Sequence, residues 1–284
     1  AISICYIFSL IIFNIIENDL NIILSISCLI TIVGFIDDKY NLNTGGKLSL
    51  QIIPIFYLII LENLRLSDVG DYSYFHLILN SFEIPFTLLC VLFLINSFNY
   101  FDGLDGTLSF ASISVLLILY FLSAENNLKL YLIILLLPII IFLIFNFSIF
   151  SVPKLFLGDG GSLLLGFVVS FTLIYFAKEQ IAHPILLAWS IAIFVYEFLS
   201  INLIRMINKK NIFNAGFDHL HHYLFKYTKS IFLTNLIIFI TNILFFSIGY
   251  ISFNKIGPIC SLIFFVLFFI FFLFIRNKYF VKIK

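Results

Sequence analysis

The sequence predicts an all-α polytopic membrane protein with about ten transmembrane helices, and three observations carry that expectation. Hydrophobic residues fill 62% of the 284 positions and charged residues only 11%, against roughly 45–50% and about 25% in ordinary soluble domains. Mean hydropathy is +1.14. The apolar residues lie in long runs, at 1–16, 20–36, 48–62, 84–99, 107–123, 128–149, 161–177, 182–205, 231–250 and 256–275, and about 17–25 such residues span a bilayer as a helix. A soluble globule could not hide this much Ile, Leu and Phe, so a soluble enzyme, a disordered chain and a nucleic-acid-binding domain are excluded. The formal net charge of +1 points to no charged partner, and no nucleic acid is expected.

Taken in order, the first run opens at Ala1 with no charged segment before it, so it is not a signal peptide and reads as a truncated or processed start. The second run ends in Gly34-Phe35-Ile36-Asp37-Asp38-Lys39-Tyr40. The third leads into the longest loop, about 63–83, where Gly70-Asp71 between short alternating stretches predicts the turn of a small extracytoplasmic β-hairpin. The fourth runs out through Asn96, Asn99, Asp102, Gly103, Asp105 and Gly106 into the fifth. Between the sixth and the seventh lies Pro153-Lys154-Leu155-Phe156-Leu157-Gly158-Asp159-Gly160-Gly161-Ser162. The eighth carries Glu197 inside its apolar stretch, and Asp218-His219-Leu220-His221-His222 precedes the ninth. No repeat or low-complexity linker divides the chain, which reads as one integral membrane domain over 1–284. Cys5, Cys28, Cys90 and Cys260 lie in apolar runs with no C-x-x-C spacing and read as small hydrophobes.

If the runs alternate across the membrane, the ends of even-numbered helices share one face. That face carries Lys39, Lys47, Lys154, Arg205, Lys209, Lys210, Lys226, Lys229, Arg276, Lys278, Lys282 and Lys284, and the other only Arg65, Lys129, Lys178 and Lys255. Positive charge marks the cytoplasmic side. All four polar loops fall there, which predicts one site at the cytoplasmic surface.

Asp37 and Asp38 end the second helix, where the negative dipole end costs each carboxylate about 0.3–1 kcal/mol. Lys39, Lys47 or a divalent cation must offset this. Mg²⁺ suits the position because it takes one or two carboxylates together with phosphate oxygens; an exposed acidic loop is the plainer alternative. Asp102 and Asp105 bracket Gly103, and Asp105 could simply cap the fifth helix. Asn96 and Asn99, three apart, share a helix face and form a polar wall. Asp159 sits among glycines at a helix start, a place that cradles phosphate. Its charge would repel phosphate unless a metal lies between, or unless Asp159 or Ser162 only caps the helix. For His219, His221 and His222 zinc is disfavoured, since only His219 and His222 share a face and no cysteine accompanies them; phosphate binding by the imidazoles is favoured. His76 and His183 fall on the opposite face, outside the site.

The ordered set G-F-I-D-D-K-Y, N-x-x-N-x-x-D-G-L-D-G, F-L-G-D-G-G-S and H-L-H-H, spanning residues 34 to 222, resembles the polyprenyl-phosphate N-acetylhexosamine-1-phosphate transferases, glycosyltransferase family 4. The resemblance implies transfer of a sugar 1-phosphate from a UDP-sugar to undecaprenyl or another polyprenyl phosphate, releasing UMP, at the inner cell membrane. It implies Mg²⁺, with Mn²⁺ as a substitute, and a homodimer is compatible with it. Residue by residue, Asp159 matches the metal ligand and Asp37 the group proposed to activate the lipid phosphate. Asp38 stands beside Asp37 in metal or substrate positioning. Asp102, Asp105, Asn99 and Phe156 match nucleotide-site positions, and Asn96 stands on the same wall. Asn146 matches a uridine contact across an expanded spacing. His221 and His222 match the histidines proposed to hold the diphosphate or the metal, with His219 beside them. Asp218 before H-L-H-H favours the GlcNAc-type branch over the MurNAc-pentapeptide branch. Two features depart from the pattern. The family's additional N-terminal helix and basic segment do not precede position 1, and no Arg stands in Asn214–Asp218. The competing class is a secondary transporter or channel built on Glu197 and the cytoplasmic acidic loops, although transport sites sit near the bilayer midplane.

Overall fold

The computed structural model of the chain describes residues 2–13, 17–209 and 219–279. The order is α1 (Ile2–Phe13), α2 (Asn18–Tyr40), α3 (Thr44–Phe56), β1 (Asp68–Asp71), β2 (His76–Ile78), α4 (Glu83–Phe101), α5 (Thr107–Leu122), α6 (Asn126–Asn146), α7 (Gly158–Lys178), α8 (Pro184–Ser190), α9 (Ala192–Ile207), α10 (Leu220–Thr228), α11 (Ile231–Ile256) and α12 (Pro258–Tyr279). Helices dominate because lipid offers the backbone no hydrogen bonds, and a helix satisfies its own. Among the described residues seven helices are long and apolar enough to cross a membrane, or eight if bent α8 and α9 form one span. Apolar α5 has 16 residues and α1 has 12. The chain is a multi-pass membrane protein.

At the centre stands α7, buried over nearly its whole length against α2 and α4. The crossing with α2 depends on two glycines: a Cβ on Gly34 would lie 2.3 Å from the Gly160 Cα. Only bare backbone allows that approach. Asp37 and Asp38 follow Gly34 by three and four residues on the same helix face, so this crossing sets both carboxylates beside the start of α7.

The run predicted as one helix over 182–205 is broken. Helices α8 and α9 meet at 73° around Ile191. Asn242 of α11 takes up the polar groups the break frees: its Nδ2 donates to the Ser190 carbonyl (2.8 Å) and to Ser114 Oγ (2.9 Å), and its Oδ1 accepts from the Ile193 N–H (3.4 Å). A break of this kind is tolerated in lipid only when neighbours re-satisfy the backbone. Hydropathy could not reveal it, because both halves are apolar.

The predicted hairpin forms, with its turn displaced. Gly70 and Asp71 belong to β1, which pairs antiparallel with β2 in the register Asp68↔Ile78 and Asp71↔His76. The turn runs through Tyr72–Phe75, closed by the Tyr72 N–H on the Phe75 carbonyl (2.9 Å) and by the Ser73 N–H on Asp71 Oδ1 (2.8 Å). An Asp able to bond its own backbone two residues on decides the turn here, over the glycine. His76 pairs with Asp68 (2.8 Å), and His183 Nε2 lies 3.1 Å from the Asp71 carbonyl, so both histidines knit the hairpin at the bundle end away from the acidic loops. The cysteines are free.

Candidate active site

The first residues to meet are Asp37, Lys47 and Asp159, from α2, α3 and α7. Lys47 Nζ lies 2.6 Å from Asp37 Oδ2 and 2.9 Å from Asp159 Oδ2. One ammonium thus joins the carboxylates of α2 and α7, the second of them 112 residues from Lys47 in the chain. Asn99, in the last turn of α4, donates Nδ2 to Asp159 Oδ1 (2.6 Å) and to Ser162 Oγ (2.9 Å). Asp37 Oδ1 accepts the Leu42 N–H (3.0 Å) where α2 ends.

Asp38 has a different task. Its carboxylate accepts the Asp159 N–H (3.1 Å) and the Gly160 N–H (3.5 Å), so it covers the N-terminus of α7 from another helix. The unfavourable dipole at the end of α2 is met by the favourable dipole at the start of α7. Of the two lysines weighed for Asp37 and Asp38, Lys47 meets Asp37, and Lys39 lies over the Tyr40 ring at 5.2 Å. No side-chain oxygen of α7 caps its own start, and Asp105 does not cap α5.

The loop after α4 forms the second part. Asp102 is half-buried at the end of α4; burial, then the carboxylates of Asp159, Asp38 and Asp105, push its carboxyl up to about 7. Asp105 pairs with Lys154 (2.7 Å), and Lys154 lies 4.9 Å over the Phe156 ring. Asn146 Nδ2 donates to the Leu155 carbonyl (2.8 Å) and fastens that loop to the end of α6. Asp102, Asp105, Ser109, Asn146 and Phe156 line one cavity of about 310 Å³. Two acceptors at its wall, Asn146 Oδ1 and Ser109 Oγ, are buried without a hydrogen-bond partner. Buried groups left unpaired are uncommon and point to something that completes them.

The histidines form the third part. His219 stands at the N-cap of α10 and His221 and His222 in its first turn. His221 is 1% exposed and lies over Gly103, where a Cβ would come within 2.2 Å of its Nε2. Burial, then the neighbouring His222 and His219, push His221 down to about 3. The shift favours the neutral imidazole at pH 7. The rings of His221 and His222 are 4.3 Å apart.

Most of the sequence candidates therefore gather at one end of the bundle: Asp37, Asp38, Asn99, Asp102, Asp105, Asn146, Phe156, Asp159, His219, His221 and His222. Asn96 departs from Asn99. Its Nδ2 bonds back to the Leu92 carbonyl (2.7 Å) on its own helix. Asp218, Lys210, Lys282, Lys284 and the Asn214–Phe217 stretch lie outside the described residues. Glu197, the hook for the transport alternative, is 1% exposed, ion-paired with Arg276 and bonded to the Leu220 N–H (2.9 Å), and nothing supports a transport role for it. Sequence reasoning counted Lys47 only as a counter-charge and missed Ser109 and Arg276. A lone lysine opening an apolar run is the one signal that could have raised Lys47.

The fold and these residues define a polytopic membrane protein with an acidic, glycine-framed site at one end of its bundle. The family model described as Glycosyl transferase family 4 matches residues 20–177, and the chain belongs to that family. It is similar to the undecaprenyl-phosphate alpha-N-acetylglucosaminyl 1-phosphate transferases of Escherichia coli O157:H7 (27% identical over 68% of this chain and 55% of the relative) and Yersinia pestis (28%, over 70% and 56%). The probable undecaprenyl-phosphate N-acetylglucosaminyl 1-phosphate transferase of Bacillus subtilis (strain 168) is 29% identical over 74% of this chain and 59% of its own length. The chain thus spans little more than half the length of these relatives.

Proposed function

We propose that the protein transfers N-acetylhexosamine 1-phosphate, GlcNAc 1-phosphate above its alternatives, from the UDP-sugar to a polyprenyl phosphate. An oxygen of the lipid phosphate attacks the β-phosphorus of the donor. The bond from that phosphorus to the bridging oxygen breaks, UMP leaves, and a lipid diphosphate-sugar stays in the membrane. The observation that carries this reading is the Lys47 bridge between Asp37 and Asp159, beside a helix start crowded with carboxylates. Phosphoryl transfer needs positioning and charge neutralisation more than covalent chemistry, and this cluster offers both. The names of the relatives agree with it.

Among the described residues no three His, Cys, Asp or Glu side chains converge as a metal-binding group. Mg²⁺, or Mn²⁺ in its place, asks the protein for only one or two hard carboxylate oxygens when phosphate oxygens complete its shell, and the Asp38 carboxylate at the Asp159 N–H stands where such oxygens are wanted. Asp159 and Asp38 are the proposed ligands. When bound, the ion supplies positive charge against the diphosphate. Lys47 supplies a second positive charge where the lipid phosphate arrives, and Asp37 orients that phosphate through Lys47. Asp102, Asp105, Asn146 and Phe156 take the nucleotide in the 310 Å³ cavity. Asn99 holds Asp159 in place with Asn96 on the same helix above it, and His219, His221 and His222 approach the diphosphate from the Gly103 side. The site end carries most of the described Lys and Arg, which favours the cytoplasmic face of the inner membrane.

The test is release of UMP and formation of a butanol-extractable lipid-linked sugar by purified protein in detergent, with undecaprenyl phosphate, Mg²⁺ and labelled UDP-GlcNAc. Product that disappears when either substrate or the metal is omitted is the expected result. Better turnover of a UDP-MurNAc-pentapeptide donor would overturn the sugar assignment, and no product with any UDP-N-acetylhexosamine would overturn the reaction.

A further inference from the structure

Glu197 and Arg276 are both nearly inaccessible, at 1% and 2% exposure, and lie on helices that carry none of the candidate site residues. The Arg276 guanidinium, from α12, pairs with Glu197 Oε2 and donates to Ser200 Oγ at 2.9 Å. The other carboxylate oxygen, Oε1, accepts the Leu220 N–H at 2.9 Å and lies 3.7 Å from His219 Nδ1. Leu220 is the first residue of α10, and the N-cap residue His219 provides no side-chain cap. A helix start needs acceptors for its free N–H groups. Here the acceptor comes from α9, and its buried charge is balanced from α12.

On the far side of α10 the fit leaves no room. Above Gly103, a Cβ would stand 2.2 Å from His221 Nε2. The His219 ring is stacked parallel to that of His221 at 5.5 Å, with the Tyr100 ring edge-on to His219 at 5.1 Å. The histidine segment is thus held between the Glu197 carboxylate and the turn after α4. Helix α12 is the least buried of the candidate spans, yet Arg276 ties it to α9 beside the site.

We infer that Glu197 and Arg276 are positioning residues: they fix α10, and with it His221 and His222, against the Asp102–Gly103 turn. For its consequence on turnover the inference rests on the proposed transferase reading; for the placement of α10 it does not. Neither residue touches the reacting groups. They act through the backbone N–H of Leu220, through the approach of Glu197 Oε1 to His219 Nδ1 at 3.7 Å, and through the charge balance behind them.

The experiment follows backbone hydrogen–deuterium exchange of residues 219–228 in the intact protein, beside steady-state kinetics with UDP-GlcNAc and undecaprenyl phosphate. Glu197→Gln and Arg276→Gln each leave one buried group without its counter-charge and can fail to fold. The double variant Glu197→Leu/Arg276→Met removes both charges together, a change that buried ion pairs often tolerate. In that variant, exchange in 219–228 rises by about tenfold or more while α2, α4 and α7 keep their protection. Its kcat falls by about tenfold or more, with the donor KM within about threefold of wild type. A folded double variant whose α10 exchange matches wild type would overturn the positioning role. Loosened α10 with unchanged kcat would overturn the link to turnover. A wild-type protein that consumes no UDP-sugar sinks the transferase reading alone, and the exchange data still decide what holds α10.

Discussion

A Cβ on Gly34 would lie 2.3 Å from the Cα of Gly160. This contact between α2 and α7 makes the acidic site possible. It brings the Asp38 carboxylate to the Asp159 N–H at 3.1 Å and leaves Asp37 and Asp159 to share Lys47. Any side chain at position 34 pushes the helices apart at the point from which the carboxylates are aimed.

Gly34→Ala is therefore expected to destabilise the protein by about 1–3 kcal/mol, the usual cost of overpacking, and to lower turnover further than the folded fraction falls. Thermal denaturation in detergent, with activity normalised to folded protein, measures both. Unchanged stability would mean that α2 and α7 can separate without loss.

Lys47 is the cation between two carboxylates. Lys47→Met leaves Asp37 and Asp159 facing each other with no shared counter-charge. Turnover is expected to fall about 10²-fold or more, as when one strong electrostatic group is removed from a site. Lys47→Arg keeps the charge with a different reach and should retain more activity than Lys47→Met. Equal activity in the two variants would show that the charge itself is unimportant.

Asp159→Asn keeps the shape of the side chain and an oxygen for the Asn99 donor, but loses the charge that meets Lys47. Asp38 covers the start of α7, so the variant should stay folded and inserted. Its kcat should drop about 10²-fold or more, with a smaller change in donor affinity and a weaker response to added Mg²⁺. Near-full activity with unchanged Mg²⁺ dependence would remove Asp159 from the proposed metal site.

Two site groups, half-buried Asp102 and buried His221, titrate in opposite senses. Asp102 is raised from 3.8 to about 7, so between those values the folded protein holds a proton that the unfolded chain has lost, and stability falls as pH rises. His221 is lowered from 6.5 to about 3, so over that interval the unfolded chain holds the extra proton, and stability rises with pH. The two slopes oppose each other from pH 3.8 to 6.5. Asp102→Asn should tilt the dependence of Tm on pH upward through this window, and His221→Gln should tilt it downward. Thermal unfolding of both variants and wild type at several pH values checks the signs; parallel curves would show that neither group carries its expected shift.

Much of this architecture was legible in the chain before any coordinates. Long apolar runs with few charges have to be membrane helices, since nothing else satisfies their backbone in lipid. The glycine-rich acidic loops fall at alternate helix ends, so Asp37, Asp102 and Asp159 could be assigned to one end of the bundle by counting. A hairpin could be expected between α3 and α4 because the residues there alternate. These are local signals, read over one helix or one turn, and they survive folding because burial in lipid repeats the same demand on every span.

Partnership across the bundle was decided only by the tertiary structure. Asn96 and Asn99 share a helix face in sequence, yet Asn99 reaches Asp159 and Asn96 bonds back to the Leu92 carbonyl. Lys39 and Lys47 were equal candidates for the acidic pair, and the fold sets Lys47, near the start of α3, against Asp37. The break at Ile191 is invisible to hydropathy, because both halves are apolar, and the Asn242 that makes it tolerable lies on α11, 49 residues beyond the Ile193 N–H it accepts. Glu197, which resembled a transport residue, became an anchor for α10 once Arg276 of α12 came to lie beside it. Hydropathy decides which segments enter the membrane. The side chains that meet there depend on where two helices can touch, and at Gly34 and Gly160 that place is set by the absence of side chains.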